Sequence, residues 1–165
     1  MEASVIAGWS DFLVAAAGVA GALAGLVFVA ISINLTRIIT MPDVSGRASE
    51  TLIVLGGTLA GTLVALIPHL SAAQLGGGLL LTTVPTWALP TLIQLRSITQ
   101  RTYYRGWQAA GRVLLHQLAT LPGIATCLGL CGVLQVDFTW FAATVIASLL
   151  LSMFNAWILL VEILR

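Results

Sequence analysis

Residues 51–95 read TLIVLGGTLAGTLVALIPHLSAAQLGGGLLLTTVPTWALPTLIQL, and none of these 45 residues is charged. A membrane helix needs roughly 20 mostly apolar residues, because the hydrocarbon core is about 30 Å thick and a helix rises about 1.5 Å per residue. The run is about twice that length, so it must fold back on itself. Its cluster of helix breakers is Pro68, His69, Ser71, Gln74 and Gly76-Gly77-Gly78, which places a tight turn near 68–74. Two spans therefore come from this one stretch.

Working outward, Asp11 and Arg37 bound a second charge-free run, 12–36, and Arg112 and Asp137 bound a third, 113–136. A fourth, 138–161, ends at Glu162. The expected spans are 12–35, 48–68, 75–95, 112–134 and 139–161: an all-α, polytopic helical bundle forming a single membrane domain. Composition agrees. The chain is 59% hydrophobic and 8% charged across 165 residues, too little polar surface for a soluble globular domain. Disorder requires few apolar residues. Nucleic-acid binding requires a basic face that a net charge of +1 does not supply.

The charges also set an orientation. All seven basic residues are Arg. Sorted by connection they fall at 37–47, at 96–112 and at the C-terminus, all on one side of a five-span chain. Arg-rich short loops stay cytoplasmic, so the N-terminus is expected outside and the C-terminus inside. The N-terminal flank carries Glu2 and Asp11 rather than the basic start of a secretory signal. Trp9 suits the outer headgroup level, and Ser10 or Asp11 suits a helix cap. Pro42 and Asp43 are read as breaking the chain between the first two spans.

Helices associate in lipid through close approach of small residues. Gly18, Gly21 and Gly25 form such a stripe in the first span, and Gly57 and Gly61 form one in the second. The segments GALAG and GTLAG run in opposite directions through the membrane, so they are expected to pair. Either an internal duplication or convergent packing accounts for their likeness. Pro85, Pro90 and Pro122 are expected to kink their helices. The freed carbonyls either line a path or are satisfied by neighbours such as Thr82, Thr83 and Thr86.

No nucleotide, metal or nucleophile motif is present, so no catalytic, cofactor or metal residue is assigned and no enzyme is expected. Cys127 and Cys131, spaced i, i+4, are either a membrane thiol pair or small apolar packing residues. Intramembrane polar residues gather toward the Arg-rich side: Asn34, Gln94, His116 and Asn155. They form either a polar pocket or pore vestibule, or interhelical hydrogen bonds. No charge lies at the centre of a span, which argues against a proton-coupled pump. The loop 96–112, RSITQRTYYRGWQAAGR, interleaves Arg96, Arg101, Arg105 and Arg112 with Tyr103, Tyr104 and Trp107. It reads as an interfacial helix on anionic lipid or as a docking surface for a partner. Arg47 and Glu50 are spaced to support an extended start of the second helix.

The stretch WSDFLVAAAGVAGALAGLVFVAISINL at 9–35, with Arg37 and RASETL at 47–52, resembles a group of small multispan bacterial membrane proteins. Some members are described as modulators of a membrane-bound protease. The resemblance implies a bacterial inner membrane and brings no functional residues with it. The combined expectation is a non-enzymatic accessory or regulatory membrane protein, acting through helix contacts and the basic loop. Its partners would be membrane lipids and either further copies of itself or other subunits of a complex, with no nucleic acid and no cofactor. The alternative is a small homo-oligomeric channel or facilitator.

Overall fold

A computed structural model describes residues 8–99 and 106–164. It is all-α: α1 (Ser10–Ile33), α2 (Leu35–Ile39), α3 (Pro42–Ala65), α4 (Ala72–Thr99), α5 (Gly106–Leu130) and α6 (Thr139–Leu164). Five of these helices are long and apolar enough to cross a membrane; α2 is the short exception. The number five thus follows from the charge-free runs as expected, and the boundaries shift for local reasons.

Pro42 starts α3 instead of ending a helix. Its fixed φ suits the first turn, where its missing N–H would have had no partner. As a result α3 begins six residues before the expected boundary and carries Arg47 and Glu50 inside the bundle. The turn between α3 and α4 falls around Pro68 and His69, with His69 at a φ of 62°, while Gln74 and Gly76-Gly77-Gly78, expected as breakers, lie inside α4. Ser71 and Gln74 instead cap that helix. Gln74 N–H donates to Ser71 Oγ at 3.3 Å, and Ser71 N–H donates to Gln74 Oε1 at 3.0 Å. This reciprocal capping box satisfies two of the open N–H groups that begin α4.

Helix α5 ends at Leu130, four residues earlier than expected, because Gly132 adopts a φ of 78°. Val133 N–H bonds back to the Leu128 carbonyl at 2.8 Å and Gly132 N–H to that of Gly129 at 2.9 Å. These two bonds define a Schellman stop, and glycine enters the left-handed region without a Cβ penalty. At the other end of the chain, neither Ser10 nor Asp11 caps α1; Trp9 holds the cap position and no side chain bonds there. The Trp9 ring instead meets Phe12 and Phe138 edge-on, at centroid distances of 5.9 and 5.6 Å.

The central helix is α3, packed against α1, α4 and α6, while α5 lies against α4 and α6. One core cluster, including Leu13, Ala65, Leu79, Cys127, Phe138 and Phe141, fills the end of the bundle where α1 and α6 begin. A second, Ile38, Val44, Ala48 and Leu159, fills the opposite end.

The glycine stripes do not pair as expected. Helix α1 does pack on α3, but through Leu13, Ala16, Ala20 and Val27, which recur at helical spacing and are buried. A Cβ added at Gly18, Gly21 or Gly25 would meet nothing within 4 Å. That stripe faces away from its own bundle. On α3, by contrast, a Cβ at Gly57 would collide with Thr86 of α4, and one at Gly61 would touch Thr82 and Phe141. The α3 glycines therefore seat α4 and α6, not α1. Gly123 plays the same part in α5, where an added Cβ would stand 3.0 Å from both Thr83 and Thr144.

Candidate functional site

The most polar part of the interior lies where α3 begins, α4 ends and α5 begins. The first turns of α3 bring Arg47, Glu50 and Thr51 inward, all buried. Glu50 is 2% exposed. Its Oε1 lies 2.8 Å from Arg112 Nη2 on α5, and its Oε2 accepts from Arg112 Nε at 3.2 Å. Gln94 Nε2 on α4 donates to the same Oε2 at 3.1 Å. One carboxylate therefore ties three helices together. Charge-assisted bonds of this kind are shorter and stronger than neutral ones.

A second layer lies one helical turn further along α5. His116, 1% exposed, places Nε2 3.1 Å from the Trp87 carbonyl. A carbonyl only accepts, so Nε2 carries the proton. That carbonyl lies in the turn preceding Pro90, and Thr91 Oγ1 donates to it as well, at 2.6 Å. Gln117 bridges the same helices: its Oε1 accepts from Trp87 Nε1 and its Nε2 donates to Thr91 Oγ1 at 3.1 Å.

Beyond this layer the interior is rich in Thr, with Thr51, Thr58, Thr62, Thr120 and Thr126 all buried. Their hydroxyls donate to carbonyls of the preceding turn of their own helices. They behave as satisfied packing residues. Around Pro85 the hydroxyls of Thr82, Thr83 and Thr86 do donate to carbonyls, but to those of Leu79 and Thr82. The carbonyl that loses its donor to Pro85 belongs to Leu81, four residues back, and these hydroxyls do not serve it.

The four expected polar residues separate. Gln94 and His116 join the junction of α3, α4 and α5. Asn34 instead donates to the Ala30 carbonyl of its own chain at 2.9 Å, where α1 gives way to α2. Asn155 is half-buried on α6 and takes no part in the cluster. Arg112, expected at the lipid or partner surface, is turned inward with its side chain 13% exposed. Arg96 and Trp107 are exposed, and Arg101 and Arg105 lie outside the described residues. Cys127 is buried, with its sulfur 3.4 Å from Thr83 Oγ1, and Cys131 is exposed at the end of α5. Among the described residues no group of three or more His, Cys, Asp or Glu is placed to hold a metal.

Glu50 as the centre of the cluster was missed by sequence reasoning, although its signal was present. Glu50 and Arg112 are opposite charges that each close a charge-free run on the same side of the chain. Two charges at matched depth are natural partners.

The fold and this junction define an all-α protein with the helices of a multi-pass membrane protein. No protein-family model matches the chain, and no curated protein or solved structure shows significant similarity to it.

Proposed function

We propose that this chain is a non-enzymatic accessory or regulatory protein of the bacterial inner membrane, oriented N-out and C-in, that works by lateral contact with other membrane helices. The observation that carries this reading is the outward glycine face of α1. Gly18, Gly21 and Gly25 give a strip on which another helix backbone approaches closely, and the chain's own bundle leaves it uncovered. The basic stretch at 96–112 adds attraction to anionic lipid on the inner side, where Arg96 and Trp107 are exposed.

The interior favours this reading over a pore through one copy. Most of its buried threonines spend their hydroxyls on their own helices, and its polar junction is tied by an ion pair. A channel would have to run between copies.

The test is Gly21→Leu combined with Gly25→Leu. A Cβ at either position meets nothing within 4 Å, so the variant should fold and melt as the parent does. Self-association, or co-purification with a defined membrane partner, should fall at least tenfold in mild detergent. Unchanged association would overturn the reading, and conductance through liposomes by an isolated monomer would replace it.

A further inference from the structure

Among the described residues four buried side-chain oxygens receive no aligned hydrogen bond: Glu50 Oε1, Gln94 Oε1, Thr144 Oγ1 and Ser152 Oγ. The first two belong to side chains already in contact. Their orientation is fixed by chemistry. The Gln94 amide turns its Nε2 toward the Glu50 carboxylate, whose oxygens accept. Flipping the amide would set two acceptors against each other. Gln94 Oε1 is thereby left without a donor on a residue only 3% exposed. Glu50 Oε1 touches Arg112 as an ion pair, with no N–H aligned on it.

A buried acceptor without a donor costs about 1–3 kcal/mol. Gln94 Oε1 has no donor, and Glu50 Oε1 beside it is held only by its ion pair, so the two are matched by one small donor with two hydrogens. A metal ion or an ammonium would meet the Arg112 guanidinium, with Arg47 buried on the same turns of α3 as Glu50. An anion would meet the carboxylate. Water has the required donors and no charge, and it needs two to four polar partners.

We propose that the Glu50–Gln94–Arg112 junction is a water-binding site, in which one water donates to Gln94 Oε1 and to Glu50 Oε1. The site lies about 9 Å along α3 from Val44, at about 1.5 Å per residue. Water at that depth hydrates the ion pair where α3, α4 and α5 meet. The proposal does not depend on the association reading above.

Water-edited solid-state NMR on the wild-type chain tests it, in bilayers of phosphatidylethanolamine and phosphatidylglycerol, with glutamine labelled with ¹³C and assigned by backbone connectivity. Gln117 is the internal control, because both of its amide ends are occupied by Trp87 and Thr91. Magnetisation from water should reach Gln94 Cδ several-fold faster than Gln117 Cδ, approaching the rate at exposed Gln135. Equal, slow transfer to Gln94 and Gln117 would overturn the proposal. Neither outcome bears on whether the α1 glycine face takes a partner.

Discussion

Glu50 ties α3 to both α4 and α5 through one carboxylate. Removing one partner of a buried pair leaves the other charge uncompensated, which typically costs about 3–5 kcal/mol. Glu50→Ala should therefore unfold in detergent at a markedly lower temperature, and Arg112→Leu should do the same. The double variant Glu50→Met with Arg112→Leu should recover most of that loss, because an apolar pair of similar volume has no charge to desolvate. A double-mutant cycle that includes Glu50→Met alone, read by thermal unfolding, measures the coupling. Glycine gives a second contrast at this scale. Gly57→Ala forces a methyl group into Thr86 and should cost about 1–3 kcal/mol. Gly18→Ala meets no neighbour and should be neutral or stabilising by up to about 1 kcal/mol, since alanine is the better helix residue. Ranking the two variants by melting temperature checks it.

At the scale of elements, the ends of α4 and α5 depend on local chemistry. Ser71→Ala removes the cap of α4, for an expected loss of about 0.5–2 kcal/mol. Gly132→Ala forces an L side chain into the left-handed region and should cost about 1–2 kcal/mol. Amide exchange should quicken first in the adjoining turn in each case. These elements also show what a single sequence conveys. The five long helices were legible because charge-free length is set by bilayer thickness alone. Their ends were less so: Pro42 opens a helix or breaks one depending on which side of it the chain turns helical. The capping box at Ser71 and Gln74 was readable from its spacing, yet the same residues also read as breakers. The α1 stripe misled for a different reason. Glycine periodicity marks where a helix can be approached, and in a helix apolar on every side it does not say which face the bundle takes. Likewise Gln94 and His116 were identifiable as buried polar residues, whereas their distance from Asn34 and Asn155 is a property of helix rotation that composition does not encode.

At the scale of the whole molecule, the proposed orientation has a built-in reporter. Cys131 is exposed beyond the last turn of α5, at the end expected to face outward, and Cys127 is buried. A membrane-impermeant maleimide added to intact cells should label Cys131 and leave Cys127 unmodified. Labelling that requires lysis would reverse the orientation. The same arrangement makes α1 the peripheral helix, with 22% of its most apolar stretch buried against 50% for α3. The molecule is thus built around a semi-polar central helix, with its most lipid-compatible helix at the edge.

That arrangement imposes a schedule on biogenesis. Glu50 and Arg112 are separated by 62 residues in the chain. At about 5–20 residues per second the ribosome needs roughly 3–12 s to make the second after the first. Through that interval the Arg112 partner of Glu50 does not yet exist. Helix α1 is under no such delay and can enter lipid as soon as it emerges. The ion pair that ties α3 to α5 therefore forms only once the fourth span has been made, late in the assembly of the bundle.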